Sequence, residues 1–152
     1  MTPRTHDGFT LIELIVVIAV LSILAAVALP KFADFTTSAE TAAFDGVKGG
    51  LTAAIGITHA KWLADGGGTL TTVPLDGATV YVNSDGWPTL DTDQATQDDG
   101  TELWAQVMSG SVPTGWTAAA VPASGAGTAT YTQDATTDVI SYNGATGLVT
   151  GP

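Results

Sequence analysis

A single apolar segment near the start of the chain constrains its fold more than any other feature. It runs from Phe9 to Leu29, and Glu13 is the one charged residue among these 21 positions. At 1.5 Å per residue, a helix of this length covers about 31 Å, which matches the hydrocarbon core of a bilayer. The run exceeds the roughly 7–15 apolar residues of a secretory signal, and no small-x-small cleavage site with a polar start follows it. We therefore predict that it stays in the mature protein as a membrane helix.

Glu13 is the anomaly in this segment. A carboxylate inside the hydrocarbon costs about 2.5–3.5 kcal/mol at the centre of a span and less near an end, so it needs a cationic partner. The span itself contains no basic residue. Cleavage after Gly8 would create a free amine on Phe9, on the same chain or on a neighbour. The alternative is an acid at headgroup level near the helix start, where the helix dipole favours negative charge.

The residues around this acid resemble a known signal. A short polar leader ends in Gly8, the sequence from Phe9 to Glu13 is FTLIE, and Pro30 closes the apolar run. This pattern is similar to the class III signal of type IV pilins and pseudopilins, in which a membrane-embedded peptidase cuts after the glycine and the new N-terminus is methylated. The resemblance implies cleavage between Gly8 and Phe9, N-methylation of Phe9, and assembly roles for Phe9, Glu13 and Pro30. Glu13 would neutralise the terminal amine of an adjacent subunit.

Helical spacing continues beyond Pro30. Apolar residues recur every three or four positions, and the stripe predicted to face a head domain consists of Val47, Leu51, Ile55 and Trp62. We predict one long helix, kinked at the proline and covering about residues 9–64, which the glycine run after Asp65 ends.

Beyond Gly66 the pattern changes from helical to alternating, which predicts short strands. The predicted strands cover residues 79–82, 129–132, 139–142 and 148–150, with a short helix at 102–108 and a loop at 109–127. Residues 143–147 form the predicted turn of a hairpin. The resemblance implies the type IV pilin fold, of class α+β, in which a long kinked N-terminal helix packs on a small antiparallel sheet.

Four segments follow from these features. They are a leader at 1–8, a transmembrane or filament-core helix at 9–29, an amphipathic stem at 30–65 and a β-rich head at 66–152. The resemblance places the precursor in the inner membrane and the mature subunit in an extracellular filament.

Further stretches resemble the mannose-sensitive haemagglutinin class of type IVa pilins. They include residues 85–89 (DGWPT), 140–144 (ISYNG) and 146–150 (TGLVT). Pilins of that group usually close their C-terminal region with a disulfide. This chain contains no cysteine, so the head needs another means of holding its last residues.

The acidic residues of the head limit its partners. Residues 66–152 carry nine acids and no base, a surface that repels phosphates, so nucleic acid is not an expected partner. The densest acids include four candidate calcium ligands, namely Asp91, Asp93, Asp98 and Asp99. Calcium takes clustered oxygen ligands at about 2.3–2.6 Å and could clamp this loop. Because the segment lacks the EF-hand pattern, a solvated acidic loop without any cofactor is the alternative.

Catalytic residue combinations are missing from the sequence. There is no cysteine and no glycine-bracketed serine, and cleavage would leave one histidine, His59, which is predicted to face solvent or a neighbour. Neither an activated nucleophile nor a zinc site can be assembled from these residues, so an enzyme is not predicted.

The sequence therefore predicts a structural subunit, the major pilin of a type IV pilus. It would polymerise through its N-terminal helix into a surface filament for adhesion, motility or biofilm attachment. The expected partners are other copies of itself, the prepilin peptidase, the pilus assembly machinery and, before assembly, the inner membrane. One alternative is a major pseudopilin of a type II secretion system. The other is a non-polymerising membrane-anchored enzyme or binding domain, in which Glu13 would have no assembly role.

Overall fold

A computed structural model describes residues 8–90, 100–121 and 127–152 of the chain. Its elements in chain order are α1 (Leu11–Ala64), β1 (Thr72–Leu75), β2 (Ala78–Tyr81), α2 (Thr101–Met108), β3 (Trp116–Val121), β4 (Thr128–Gln133), β5 (Val139–Asn143) and β6 (Leu148–Thr150). A long helix followed by antiparallel strands confirms the predicted α+β class. The chain divides into two compact units, Met1–Ala39 and Glu40–Pro152. The predicted segment boundaries within them stay predictions.

Within the first unit, α1 continues through Pro30. The hydroxyl groups along this segment donate to carbonyl groups of the preceding turn. Ser22 Oγ donates to the oxygen of Ile18 at 2.7 Å, and Thr36 Oγ1 donates to the oxygen of Phe32 at 3.0 Å. These two hydroxyl groups thereby find acceptors within the helix itself.

The core of the second unit lies between the stem part of α1 and the strands. Leu51, Ile55 and Trp62 are buried as the helical stripe predicted, and Val47 packs at the margin of the same core. Opposite them, Tyr131 and other buried residues of the strands complete the cluster. The stripe therefore supplies the surface on which the strands pack.

A two-stranded hairpin precedes the main sheet. Its second strand, β2, lies where a strand was predicted at 79–82, whereas β1 and its pairing with β2 were not predicted. Strands β1 and β2 pair antiparallel with Leu75 opposite Ala78. The two residues between them, Asp76 and Gly77, have φ angles of 47° and 82°. Two consecutive positive φ values are typical of a type I′ turn, for which Asp-Gly is a preferred sequence.

Four antiparallel strands in the order β3-β4-β5-β6 form the main sheet. Strands β4, β5 and β6 and helix α2 occupy the predicted places. The prediction of a loop over 109–127 is wrong, because β3 lies within it. Three alanines in this strand gave little β propensity, yet Trp116, Ala118 and Ala120 pack against the core while the residues between them are exposed.

Residues 83–90 cross from β2 toward the main sheet and are here named the strap. The ring of Trp87 lies 3.9 Å from that of His59 with planes 9° apart, and it covers Gly147 on the β5–β6 turn. The prediction that His59 faces solvent or a neighbour is therefore wrong. Its half-buried ring connects the stem to the strap, and the strap continues the connection to the last hairpin.

Two hydrogen bonds fix the strap to the main sheet. Asn83 Nδ2 donates to the oxygen of Gly144 at 2.9 Å, and the buried hydroxyl of Tyr142 donates to the oxygen of Pro88 at 2.7 Å. Burial also raises the pKa of Tyr142 above its ordinary value of 10.0.

The raised pKa makes the stability of the second unit sensitive to alkali. The folded state holds the phenol proton of Tyr142 more tightly than the unfolded state does, so unfolding releases a proton once the pH exceeds about 10. Stability is then unchanged by this group below pH 10 and falls by up to about 1.4 kcal/mol per pH unit above it. Urea unfolding of the full chain in detergent between pH 8 and 11.5 measures this slope.

The variant Tyr142→Phe removes both the proton and the hydrogen bond. Its free energy of unfolding at pH 7 is expected to be lower by about 1–2 kcal/mol, because the carbonyl of Pro88 loses its buried partner. Above pH 10 its free energy of unfolding should fall less steeply with pH than that of the wild type, by the equivalent of about one released proton. Identical slopes for the two chains would contradict the assignment of this titration to Tyr142.

Lys48 holds the last residues of the chain on the stem. Its Nζ donates to the main-chain oxygens of Gly151 and Pro152, each at 3.0 Å. Beside this contact, Gly151 packs against the ring of Phe44, where a Cβ would lie 3.1 Å from the nearest ring carbon, closer than an ordinary contact. Lys48 thus provides a non-covalent closure of the C-terminal region in a chain without cysteine.

Replacing Lys48 by Met tests this closure, because Met keeps the aliphatic part of the side chain. We expect Lys48→Met to lower the free energy of unfolding by about 1.5–3 kcal/mol, the usual contribution of hydrogen bonds from a charged donor. The matched control is Lys61→Met, which removes an exposed i,i+4 pair with Asp65 and should cost no more than about 0.5 kcal/mol. Urea unfolding gives both values, and faster amide exchange at residues 148–151 should appear in Lys48→Met alone.

Candidate assembly site

Gly8 and Phe9 lie at the exposed start of the first unit. The side chain of Phe9 is 87% exposed, and no atom lies within 4 Å of the place where Gly8 would carry a Cβ. Residues 1–7 of the predicted leader lie outside the described residues. The peptide bond between Gly8 and Phe9, the predicted cleavage position, is therefore unshielded by the described chain.

Glu13 caps the first turn of α1. Its Oε2 accepts the backbone N–H of Thr10 at 2.8 Å and the hydroxyl of Thr10 at 2.6 Å. In return the N–H of Glu13 points to Oγ1 of Thr10 at 3.4 Å. These reciprocal bonds form a capping box, in which Ser or Thr at the N-cap pairs with Glu three residues later. Both bonds to the carboxylate arrive at Oε2, and Oε1 has no hydrogen-bond partner among the described residues.

Glu13 and Phe9 were predicted as assembly residues from the sequence, whereas the role of Thr10 was missed. The signal was present, because the pattern T-x-x-E immediately before an apolar run is the sequence signature of a capping box. Its meaning is that Glu13 already has a local partner in the isolated chain. The cap satisfies hydrogen bonds but supplies no cationic side chain, and residues 8–90 place no other cation in an ion pair with Glu13.

An apolar surface surrounds the carboxylate. Large apolar side chains from Leu11 to Leu29 are between 48% and 76% exposed. A shallow groove of about 350 Å³ is lined by Phe9, Ile12, Glu13, Val16 and Val17. Part of α1 is long and apolar enough to cross a membrane. The arrangement can therefore bind an apolar helix or lipid along its length and a cation at Glu13.

The other predicted site residues fall elsewhere. The four candidate calcium ligands, Asp91, Asp93, Asp98 and Asp99, lie outside the described residues. Within the residues that the structure describes, no three acidic or histidine side chains come together in a way that could hold a metal ion. Pro30, the remaining assembly residue, lies in the middle of α1.

Comparison with known families identifies the segment that contains this site. The family model described as the prokaryotic N-terminal methylation motif matches residues 3–29. Its range includes the predicted cleavage position after Gly8, the capping pair and the exposed apolar surface. Residues 3–29 carry the class III prepilin signal.

Several curated type IV pilins are similar to more than this signal. Fimbrial protein EcpC of Eikenella corrodens is 34% identical over 87 residues, which cover 55% of this chain and 56% of that protein. Type IV major pilin protein PilE1 of Neisseria gonorrhoeae is 46% identical over 61 residues, covering 38% and 36%. The type IV major alpha-pilin of Moraxella bovis is 49% identical over 43 residues, covering 28% and 27%.

The chain thus spans between about a quarter and just over half of the length of these pilins. No solved structure matches the chain. The resemblance to type IV pilins that residues 8–30 carry is confirmed by the family model and by these relatives. The similarity to the mannose-sensitive haemagglutinin class stays a prediction.

Proposed function

We propose that this chain is the major pilin of a type IV pilus, a structural subunit that polymerises with copies of itself through α1. The observation that carries the proposal is Glu13, an acid that caps an apolar helix and has no cationic side chain beside it among the described residues. The pilin signal around it and the relatives named as major pilins and fimbrial proteins support the same conclusion.

Polymerisation satisfies two requirements of the first unit at once. Apolar side chains that are half exposed or more in the isolated chain gain free energy when copies of α1 pack together and remove them from solvent. A terminal amine on Phe9 of a neighbouring copy would supply the positive charge that the capping box lacks. Pairing the charge costs less than leaving an unpaired carboxylate in an apolar filament core.

The proposed life of the subunit begins in the inner membrane. There α1 spans the bilayer, a prepilin peptidase cuts between Gly8 and Phe9, and Phe9 is N-methylated. The pilus assembly machinery then moves the processed subunit from the membrane into the filament, and the filament extends outside the cell. No catalytic activity is part of this function.

Mass spectrometry of sheared surface filaments tests the proposal. Filaments are sheared from cells, purified, and their subunit is analysed intact and after digestion. The expected chain begins at N-methylated Phe9, and it should be the main protein of long fibres. An intact leader in the mature protein would contradict both processing and polymerisation.

The same experiment distinguishes a pilin from a pseudopilin. Processed protein found only in the cell envelope, with no long fibres outside, would favour the pseudopilin of a secretion system. A membrane-anchored enzyme or binding domain is tested separately, because it would function without Glu13.

Calcium at Asp91, Asp93, Asp98 and Asp99 stays a proposal. Calorimetry of the mature subunit with added calcium would test it.

A further inference from the structure

The charges of the first unit are few, and they follow a repeated order. Between Phe9 and Ala39 the charged side chains are Glu13, Lys31 and Asp34. With a terminal amine on Phe9, the order along the chain is cation, anion, cation, anion. The amine precedes Glu13 by four positions, and Lys31 precedes Asp34 by three. The second pair therefore repeats the arrangement of the first at the other end of the apolar run.

Lys31 and Asp34 do not pair within one chain. Both residues are exposed, and neither side chain has a hydrogen bond or an ion pair in the part of the chain that the structure describes. A basic residue that precedes its acid is also the less favourable order for an ion pair along one helix. The other two lysines are engaged, because Lys48 donates to main-chain oxygens and Lys61 pairs with Asp65. Among the described residues, Lys31 is thus the lysine left for a partner on another chain.

Exposed apolar rings flank these two charges. Phe32 and Phe35 are 70% and 72% exposed, and both lie beyond Leu29, where the bilayer-length run ends. At 3.6 residues per turn, they lie about 100° and about 40° around the helix from Lys31. A neighbouring copy that covers the rings gains free energy from their burial. A charge beside them would then leave solvent as well, and it would need a partner of opposite charge.

The same side of α1 carries both pairs. Lys31 follows Glu13 by 18 positions, which is about five full turns, so the two residues lie on one side of the helix. Asp34 lies about 60° around the helix from them. Because α1 continues through Pro30, this spacing applies along the whole of the first unit. A copy that contacts Glu13 therefore also faces Lys31 and Asp34.

The first pair also determines how far two neighbouring copies are shifted along α1. Oε2 of Glu13 lies beside the N–H of Thr10, one residue from Phe9, whereas the Cα of Glu13 lies three helical residues further on. An amine that meets this carboxylate shifts the copies by about 3–8 Å. Three helical residues separate Lys31 from Asp34, about 4.5 Å, which is inside that range. One shift therefore satisfies both pairs, with both cations on one copy and both acids on the other.

We propose that Lys31 of one copy pairs with Asp34 of its neighbour in the filament, in the same contact that joins the terminal amine to Glu13. This inference rests on the proposed function, because it requires copies of α1 packed side by side. Apolar contacts are non-directional, so they resist sliding of one helix along another only weakly. An ion pair near each end of the apolar run selects a single register.

Charge changes at the two positions test the pair. Lys31→Glu places two acids in each contact between copies, and Asp34→Lys places two lysines there. Each single variant should give at least about tenfold fewer sheared filaments than the wild type, because like charges in a contact repel one another. The double variant Lys31→Glu/Asp34→Lys restores opposite charges and should recover the filaments. Processed subunit in the membrane, measured beside the filaments, shows that each variant is made and inserted.

Co-expression of the two single variants distinguishes a contact between copies from one within a chain. In a mixed filament, Lys31→Glu and Asp34→Lys chains can alternate, so that each contact joins opposite charges. Pairing between copies therefore predicts a severalfold recovery of filaments over either variant alone. Pairing within a chain predicts no recovery, because each chain then carries two like charges side by side.

Cysteines at the two positions report the contact directly, because the chain has no cysteine of its own. Removing both charges together leaves neither unpaired, so filaments of Lys31→Cys/Asp34→Cys still form. This double variant has one thiol for each of two neighbours, and mild oxidation of its filaments should give a ladder of linked chains. Ala33→Cys/Thr36→Cys has the same spacing on the opposite side of α1 and should stay monomeric.

The outcomes that overturn the pair leave the proposed function intact. Wild-type yields from both single variants, or an oxidised Lys31→Cys/Asp34→Cys chain that stays monomeric, would overturn it. A loss with Lys31→Glu alone would assign Lys31 to lipid phosphates at the membrane surface. Recovery by the double variant without recovery on co-expression would place the pair within one chain. An absence of wild-type filaments would overturn the proposed function and the pair with it.

Discussion

Cells producing Glu13→Gln are expected to process the subunit normally. Their yield of filaments should be lower than that of the wild type by at least about 30-fold. Glutamine keeps the shape of Glu13 and can accept the N–H of Thr10, since the capping box tolerates Glu or Gln. It cannot neutralise a terminal amine. Removing one partner of a buried charge pair costs about 2–5 kcal/mol, and every 1.4 kcal/mol is tenfold in an equilibrium.

Thr10→Val provides the matched control for Glu13→Gln. It removes the capping hydroxyl and keeps the carboxylate charge, so it should cost the helix start about 0.5–2 kcal/mol and leave filaments abundant. The measurement is the amount of sheared filament relative to the processed subunit in the membrane. If Glu13→Gln assembles like the wild type, the charge of Glu13 has no assembly role. If Thr10→Val is the more damaging of the two, the cap matters more than the charge.

The second large effect is expected at Gly86, in the strap. This residue has a φ of 82°, and a Cβ added there would overlap the indole ring of Trp62. Gly86→Ala should therefore lower the free energy of unfolding for two reasons. The left-handed backbone costs about 1–2 kcal/mol and the overlap about 1–3 kcal/mol. For a unit of this size, the sum lowers the melting temperature by about 10–20 °C.

Gly77→Ala isolates the second contribution. Gly77 has the same φ of 82°, in the β1–β2 turn, and has open space where a Cβ would be. Its free energy of unfolding should fall only by the cost of the left-handed backbone, about 1–2 kcal/mol. Thermal unfolding of both variants as full chains in detergent gives the comparison. Equal losses would mean that the ring of Trp62 moves aside at no cost and does not fix the strap.

The sequence predicted those parts of the fold whose pattern is periodic. The helical stripe of Leu51, Ile55 and Trp62 predicted the packed face of the stem, and alternation predicted β2, β4, β5 and β6. Strand β3 was missed because its alanines carry almost no β propensity, and its place became clear only through pairing with β4. Hairpin β1–β2 could have been found from Asp76-Gly77.

The assembly site was predictable in part for a similar reason. Glu13 is conspicuous because a single charge in an apolar run is costly, and Phe9 follows from the cleavage signal. Thr10 went unnoticed because its role depends on a local hydrogen-bond geometry. The stacking of His59 on Trp87 joins residues 28 positions apart, and no local pattern indicates such a contact.

The contact of Lys48 with Gly151 and Pro152 has a consequence for the timing of folding. Gly151 follows Trp62 by 89 positions, and a ribosome adding about 5–20 residues per second needs roughly 5–20 s to make that stretch. During this interval the apolar stripe of the stem has been synthesised but the strands that cover it have not. The second unit therefore closes as a late event, and a chain truncated before its last hairpin would present an uncovered stem to proteases and chaperones.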